Sequence, residues 1–203
     1  MGTLKDELKK AAAELAIVPQ YEAPSRPANA PDVTVEGLWQ AYSEKLANVS
    51  VKDPRGEFIC FKEDNFPYLL KLEFWNNKAK KWVDAVAGVV IQQLKDKTFD
   101  ATRYRVGDQS RARTLFWTKN ILEGPDCIHE NNNAGMTDKE IYVMRYRISD
   151  PNEAEIKVLL VAERPGEGKV ASSSFWTDQE WLRRAAKQPP LYVRPNSKGC
   201  RCR

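Results

Sequence analysis

Histidine is nearly absent, since His129 is the only one in 203 residues. That excludes acid–base chemistry by a pair of histidines and any histidine-rich metal site. Long apolar runs are missing too. The longest, Ala85 to Ile91, falls far short of the roughly 20 apolar residues a bilayer-spanning helix needs, so no membrane span is expected. Cysteine is scarce at four residues, Cys60, Cys127, Cys200 and Cys202, and the Cys200-Arg-Cys202 spacing is too tight for the usual zinc knuckle. The amino-terminal ten residues are charged throughout and lack the apolar stretch and small-residue cleavage site of a secretory leader. The expectation is a cytoplasmic protein with reduced thiols. Glycine-rich phosphate loops and the Gly-x-Ser-x-Gly nucleophile elbow are also missing, which leaves chemistry without metal or cofactor.

What is present is a folding chain. Apolar residues make up 42% of it, including 7 Phe, 7 Tyr and 6 Trp, which is too much large apolar surface for a disordered segment. The net charge of +4 is unevenly built, because 12 of the 14 arginines follow residue 100. Arginine's rigid fork of donors matches phosphate or carboxylate oxygens, so a polyanionic partner is one expectation for the second half. A solvated charged surface is the other.

Periodicity places the elements. Thr3 to Val18 repeats apolar residues at helical spacing and stops at Pro19, and a proline-rich arm covers 19–34. A second helix is predicted over Val35 to Ala47, with Trp39 and Tyr42 as core anchors. Phe58 to Phe61 and Tyr68 to Trp75 read as strands, Lys81 to Thr98 as a helix, and Ser110 as the cap of a helix through Ile121. Glu140 to Ile148, Glu155 to Glu163 and Lys169 to Thr177 are rich in β-branched, serine and aromatic residues. Short turns such as Arg164-Pro-Gly-Glu-Gly168 separate them, so they are predicted to form an antiparallel meander. Strict alternation in the last run puts Ser172 and Ser174 on one face and Ala171, Ser173 and Phe175 on the other. Asp178 caps a final helix, Gln179 to Lys187. The fold class is α+β, an antiparallel β-meander sheet packed by helices with a helical amino-terminal extension. Its divisions are 1–100 (helices, strands and the proline-rich arm), 101–193 (the α+β domain) and 194–203 (a flexible tail).

Arg111-Ala-Arg113-Thr-Leu-Phe-Trp117, Ile121-Leu-Glu-Gly-Pro125-Asp126-Cys-Ile128, Glu140-Ile-Tyr142-Val143, Ile156-Lys157-Val-Leu-Leu-Val161 and Lys169-Val-Ala-Ser-Ser-Ser-Phe175 follow one another in an order that carries a resemblance. It resembles the phage-associated branch of the barnase, EndoU, colicin and RelE nuclease superfamily, over about half the chain. The resemblance implies helices on a four-stranded antiparallel sheet and metal-free RNA cleavage, with the ribose 2′-hydroxyl as nucleophile. Such chemistry needs a base, an acid and donors for the charge on the phosphate. Arg113 is then the phosphate clamp, with Arg111 as its substitute. His129 is the candidate acid or base, although a lone histidine is more often incidental. Ser173 and Ser174 stand where the family pattern shows a Thr/Ser pair, their hydroxyls bonding phosphate oxygens. Tyr142, Arg145 and Lys157 complete the expected substrate contacts, Tyr142 by stacking. Arg145 and Arg147 share one strand face, which is either a phosphate platform or a solvent-facing strand that blocks edge pairing. With one histidine available, Glu140 or Glu163 would have to serve as base if burial raised its pKa.

Two functions follow. The first is a metal-independent endoribonuclease, toxin-like or phage-borne, acting on RNA, with the amino-terminal region free to meet a protein partner or inhibitor. The alternative is a non-catalytic interaction or phage structural module. They are separated by whether Arg113, His129 and Ser173 converge on one partly exposed face.

Overall fold

The computed structural model describes residues 34–133, 138–147 and 154–195. The expected helix at Thr3 to Val18, nearly all of the proline-rich arm, and Cys200 and Cys202 lie outside the described residues.

Helix α1 (Val35–Lys45) opens at Thr34, whose hydroxyl accepts the Gly37 N–H at 3.2 Å. It buries Val35, Leu38 and Tyr42, and the Tyr42 hydroxyl donates to the Lys62 carbonyl at 2.7 Å, so Tyr42 is the core anchor the spacing implied. Strands β1 (Ser50–Lys52) and β2 (Phe58–Cys60) follow, joined by a turn in which Gly56 has φ 92°.

The segment expected as a single strand from Tyr68 to Trp75 is divided. Pro67 sits in the first turn of a short helix, α2 (Phe66–Leu70), Lys71 closes it in the left-handed region at φ 51°, and β3 (Leu72–Asn76) begins only there. The helix expected from Lys81 to Thr98 is shorter. Its first residues form β4 (Lys81–Asp84), paired antiparallel with β3 so that Trp75 faces Trp82, and α3 covers only Ala87–Lys95. The real apolar stripe of α3 is Ala87, Val90, Ile91 and Leu94, while Val86 and Val89 are exposed. The asparagines at 76 and 77 signal a reversal here: the Asn76 side chain accepts the N–H groups of Lys78 and Ala79 and turns the chain.

Strand β5 (Tyr104–Val106) pairs with the other edge of β3 to give a three-stranded sheet. Gly107 then donates to the Lys71 carbonyl at 2.9 Å, and a Cβ on it would lie 2.8 Å from that oxygen. Gly107→Ala is therefore expected to lower stability by about 1–3 kcal/mol through forced displacement, read from urea unfolding. Asp108, rather than Ser110, caps the next helix, its carboxylate accepting from the N–H groups of Ser110 and Arg111. That helix is split into α4 (Gln109–Arg113) and α5 (Trp117–Glu123).

The last third follows the expected pattern. Strands β6 (Cys127–Glu130), β7 (Lys139–Arg147), β8 (Ala154–Arg164) and β9 (Gly168–Thr177) are antiparallel neighbours in chain order, and α6 (Gln179–Ala185) starts at an Asp178 cap. With β10 (Tyr192–Val193) they belong to a seven-stranded sheet of order β1-β2-β9-β8-β7-β6-β10, in which β2 and β9 run parallel. The expected division at 100/101 does not separate two cores. Strands β1 and β2 extend the meander, and one buried cluster joins Leu38, Phe66 and Ile91 to Trp117, Leu159 and Val161.

The large sheet is covered on both sides. One face, with Tyr142, Met144, Tyr146, Leu159 and Val161, shares a buried cluster with residues of α1 to α5, and the other, with Ile141, Val143, Val158 and Leu160, shares one with Leu182 and Ala185 of α6. Strict alternation fails in β9. The register shifts between Leu160 and Val161, leaving Ser172 as the extra residue, so Ala171 joins Ser174 and Trp176 on the face of the larger cluster. Cys127, expected as a reduced thiol, is disulfide-bonded, whereas Cys60 is free. Among the described residues no helix is long and apolar enough to cross a membrane.

Candidate functional site

The meander register decides which expected residues can meet. His129 of β6 pairs with Ile141 of β7, Ile141 with Leu160 of β8, and Leu160 with Ser173 of β9. His129 and Ser173 thus stand in one row, three strand spacings or roughly 14 Å apart, with two apolar side chains between them. His129 is wholly buried, donates from Nδ1 to the Lys187 carbonyl at 3.1 Å, and has its Nε2 3.3 Å from the Cys127 sulfur. Burial lowers its pKa below the usual histidine value. It is a satisfied core histidine, which corrects its role as acid or base. Arg113 is the last residue of α4 and is exposed. Arg113, His129 and Ser173 therefore do not gather on one face.

Two of the expected residues do meet. From the first turn of α4, the Arg111 guanidinium donates through Nη1 to the Ser173 hydroxyl at 3.1 Å and lies 5.2 Å from the centre of the Phe175 ring. Its Nε is 3.3 Å from the Asp108 carboxylate, which the helix cap holds in place. This contact exists because β9 pairs with β2 only at Lys169 and Val170. The rest of that edge is open to α4. Behind Arg111, Lys157 is fully buried in the central strand, with Nζ donating to Thr114 Oγ1 at 2.7 Å and lying 5.0 Å from the Trp176 ring. Burial, and then the neighbouring Arg111 charge, push the Lys157 pKa down to about 7. Lys157 is too deep to touch a substrate, which corrects its assignment as a contact. The Arg111 charge itself is opposed by the Asp108 carboxylate beside it.

The remaining expected contacts are structural. Ser174 is buried and donates to the Val158 carbonyl at 2.9 Å. Arg145 is not a solvent-facing phosphate platform, because its N–H donates to Asp126 at 2.8 Å and its guanidinium to Gln179 of α6 at 3.3 Å. The Arg147 side chain lies outside the described residues. Tyr142 is buried and cannot stack on a base, since its hydroxyl accepts from Arg55 at 2.7 Å and donates to Asp53 at 2.8 Å.

That tyrosine belongs to a network sequence reasoning missed. Arg55, in the β1–β2 turn, bonds Asp53 (2.9 Å), Glu57 (2.7 Å) and Glu140 (2.8 Å), and Lys169 bonds Glu140 at 2.7 Å and also Glu57. Burial would raise the Glu140 pKa, but the hydrogen bonds from Arg55 and Lys169 outweigh it and hold the carboxyl below its ordinary value. Glu140 is thereby kept ionised rather than tuned as a base. The signal available was weak. Arg55 is one of two arginines in the first hundred residues, but nothing local ties it to a strand 85 residues away. Glu163, the other candidate base, is exposed on β8, three residues beyond the partner of Ser173, or about 10 Å along the strand. Among the described residues no group of three or more His, Cys, Asp or Glu is placed to hold a metal ion. No family model matches this chain, and no curated protein and no solved structure does either.

Proposed function

We propose that the chain binds RNA and does not cleave it, with Arg111 and Ser173 as a phosphate contact on the open edge of β9. The observation that carries this reading is the pairing of Arg111 Nη1 with Ser173 Oγ at 3.1 Å, while Asp108, the carboxylate beside it, is committed to the helix cap and to the Arg111 guanidinium. A phosphate oxygen could take the place of their mutual bond, accepting from the guanidinium and from the serine hydroxyl together. A general base must come within about 3 Å of the proton it removes, and the three candidates are otherwise engaged. His129 is buried, Glu140 is held by two cations, and Glu163 stands about 10 Å away along its strand. Binding without cleavage departs from both expected functions, keeping the RNA of the first and the lack of catalysis of the second.

The test is incubation of the full chain with tRNA and total RNA in EDTA, followed by gel shift. The expected result is intact RNA in a retarded complex. Arg111→Ala should weaken it roughly ten- to a hundredfold, the usual effect of removing a charge-assisted hydrogen bond, and the exposed Arg113→Ala much less. Cleavage in EDTA would overturn the reading, as would the absence of a complex at low salt.

A further inference from the structure

The outer face of the small β4-β3-β5 sheet carries a feature that neither the core nor the Arg111 edge explains. Its inner face sends Leu72, Phe74, Tyr104 and Val106 into or against the core. The outer face needs only polar side chains. It holds instead a cross-strand pair of half-buried tryptophans, Trp75 and Trp82, with ring centres 5.4 Å apart and planes at 64°. The Arg105 guanidinium lies 4.5 Å from the centre of the Trp82 ring, oriented by an ion pair from Nε to Glu73 at 2.6 Å. A cross-strand aromatic pair alone would be accounted for by hairpin stability.

Two further observations exceed that account. The tryptophans line a cavity of about 480 Å³ with Asn77, Thr102 and Arg103, within the size range of small-ligand sites. The hairpin tip beside it exposes Lys78, Lys80 and Lys81, on a turn held by the Asn76 side chain. Lys78 and Lys80 at the tip, Arg103 in the cavity lining and Arg105 over Trp82 thus flank the aromatic pair, whereas Lys81 projects from the opposite face of β4. Against them stand Glu73, already paired with Arg105, Asp84 on the same face, and Asp100, which accepts from the Thr102 hydroxyl at 2.6 Å. Aromatic rings inside a cationic rim are the elements of a single-stranded nucleic acid platform: bases stack on the rings while the backbone follows the lysines and arginines. A duplex keeps its base faces covered and would use only the charge.

From this arrangement we infer that Trp75 and Trp82 bind unpaired bases of a single-stranded nucleic acid, with Lys78, Lys80 and Arg103 taking the flanking phosphates. The choice of a nucleic acid as partner rests on the RNA-binding reading above. The site is separate from the Arg111 contact.

The experiment measures binding of 5′-fluorescein-labelled dT15 and rU15 to the full chain by anisotropy across a salt series. The deoxy probe has no 2′-hydroxyl, so its binding is read free of any cleavage. Trp75→Ala is expected to weaken dT15 binding roughly ten- to a hundredfold. The double variant Lys78→Gln, Lys80→Gln, both at exposed positions, should weaken it and flatten the slope of log K against log salt by roughly 0.7 for each phosphate no longer neutralised. Thermal melting of each variant confirms that it folds, and the lysine variant keeps the test valid if the tryptophan variant does not. Unchanged dT15 affinity in a folded Trp75→Ala, an unchanged salt slope in the lysine variant, or heparin binding that the tryptophan variant weakens equally overturns the inference. If Arg111→Ala abolishes rU15 binding while Trp75→Ala does not, the platform fails and the Arg111 reading stands. The opposite pattern upholds the platform and overturns the Arg111 contact. Failure of both probes to bind overturns both.

Discussion

Arg55→Ala is expected to cost about 3–5 kcal/mol of folding stability, the usual penalty for removing one partner of a buried ion pair. For a domain of this size that is a fall of roughly 6–20 °C in Tm. Asp53 is fully buried at its side chain and Glu140 is 17% exposed, so neither can exchange its missing partner for full hydration. Lys169 remains to compensate Glu140, but Asp53 keeps only the Tyr142 hydroxyl and backbone donors. The pH dependence fixes the sign. Against the burial penalty, hydrogen bonds and the Arg55 charge hold Asp53 and Glu140 below their ordinary pKa values in the folded chain. Their contribution is therefore present above the unfolded carboxylate values, about 4, and is lost as the pH falls through the lower folded values. Wild-type chain should lose stability steeply on acidification there, and Arg55→Ala should start lower and lose less. Urea unfolding at pH 7 and pH 3 measures both. A variant within about 1 kcal/mol of wild type at pH 7 would show the network to be electrostatically neutral to the fold.

The same network shows why parts of the chain were legible and others not. The meander could be read because its information is local: β-branched runs, turns with glycine and proline, and connections too short for anything but antiparallel neighbours. The lengths of β7, β8 and β9 followed from that, and Asp178 announced α6. Where a helical and a strand period compete over few residues, the pattern is ambiguous. Trp82, Val86 and Val90 lie at a spacing of four, which suits a helix, but the pairing of Trp82 with Trp75 across a turn prevails. The β9 bulge is invisible in sequence, because a single extra residue changes which face the residues before it take without changing composition. Alternation alone separates buried Ser174 from Ser173, and the bulge moves Ala171 from the face of Ser173 to that of Ser174.

The candidate site was legible only as residue types. Arg111 and Ser173 both stand out in the sequence, and their meeting depends on an edge of β9 left open by the shortness of β2, a tertiary fact. His129 misled because its chemistry is informative only if it is accessible, and burial is set by α6, which arrives from far downstream in the chain. The arginine excess of the second half is partly spent internally, with Arg145 tied to Asp126 and Gln179 and Arg164 to Asp64. Charge placement after folding, rather than charge count, identifies the surfaces a polyanion can use. By that measure the lysine hairpin at 78–81, in the near-neutral first half, matters as much as the arginines.

Lys157→Met should make the protein more stable, by about 1–4 kcal/mol at pH 6. Lys157 occupies a central strand whose residues from Ile156 to Ala162 are otherwise apolar and buried. An unbranched apolar side chain of similar length keeps the packing against Trp176, and sulfur on an aromatic ring is itself favourable. Thr114 loses a donor but retains its own bond to the Ser110 carbonyl at 2.6 Å. The pH dependence follows from the folded pKa of about 7 against an ordinary lysine value of about 10.4. Between those values the unfolded chain binds a proton that the folded chain does not, so wild-type stability rises with pH across that window. Below about pH 7 the folded chain must hold a buried charge beside Arg111, and the penalty is complete. Above about pH 10 both states are neutral and the penalty is gone. The advantage of the methionine variant should therefore be largest and flat below pH 7, shrink from pH 7 to pH 10, and vanish beyond, as followed by urea midpoints at pH 6, 8 and 10. A variant less stable than wild type at pH 6, or an advantage that does not change with pH, would mean that the Lys157 ammonium is compensated in place by more than the Thr114 hydroxyl and the Trp176 ring.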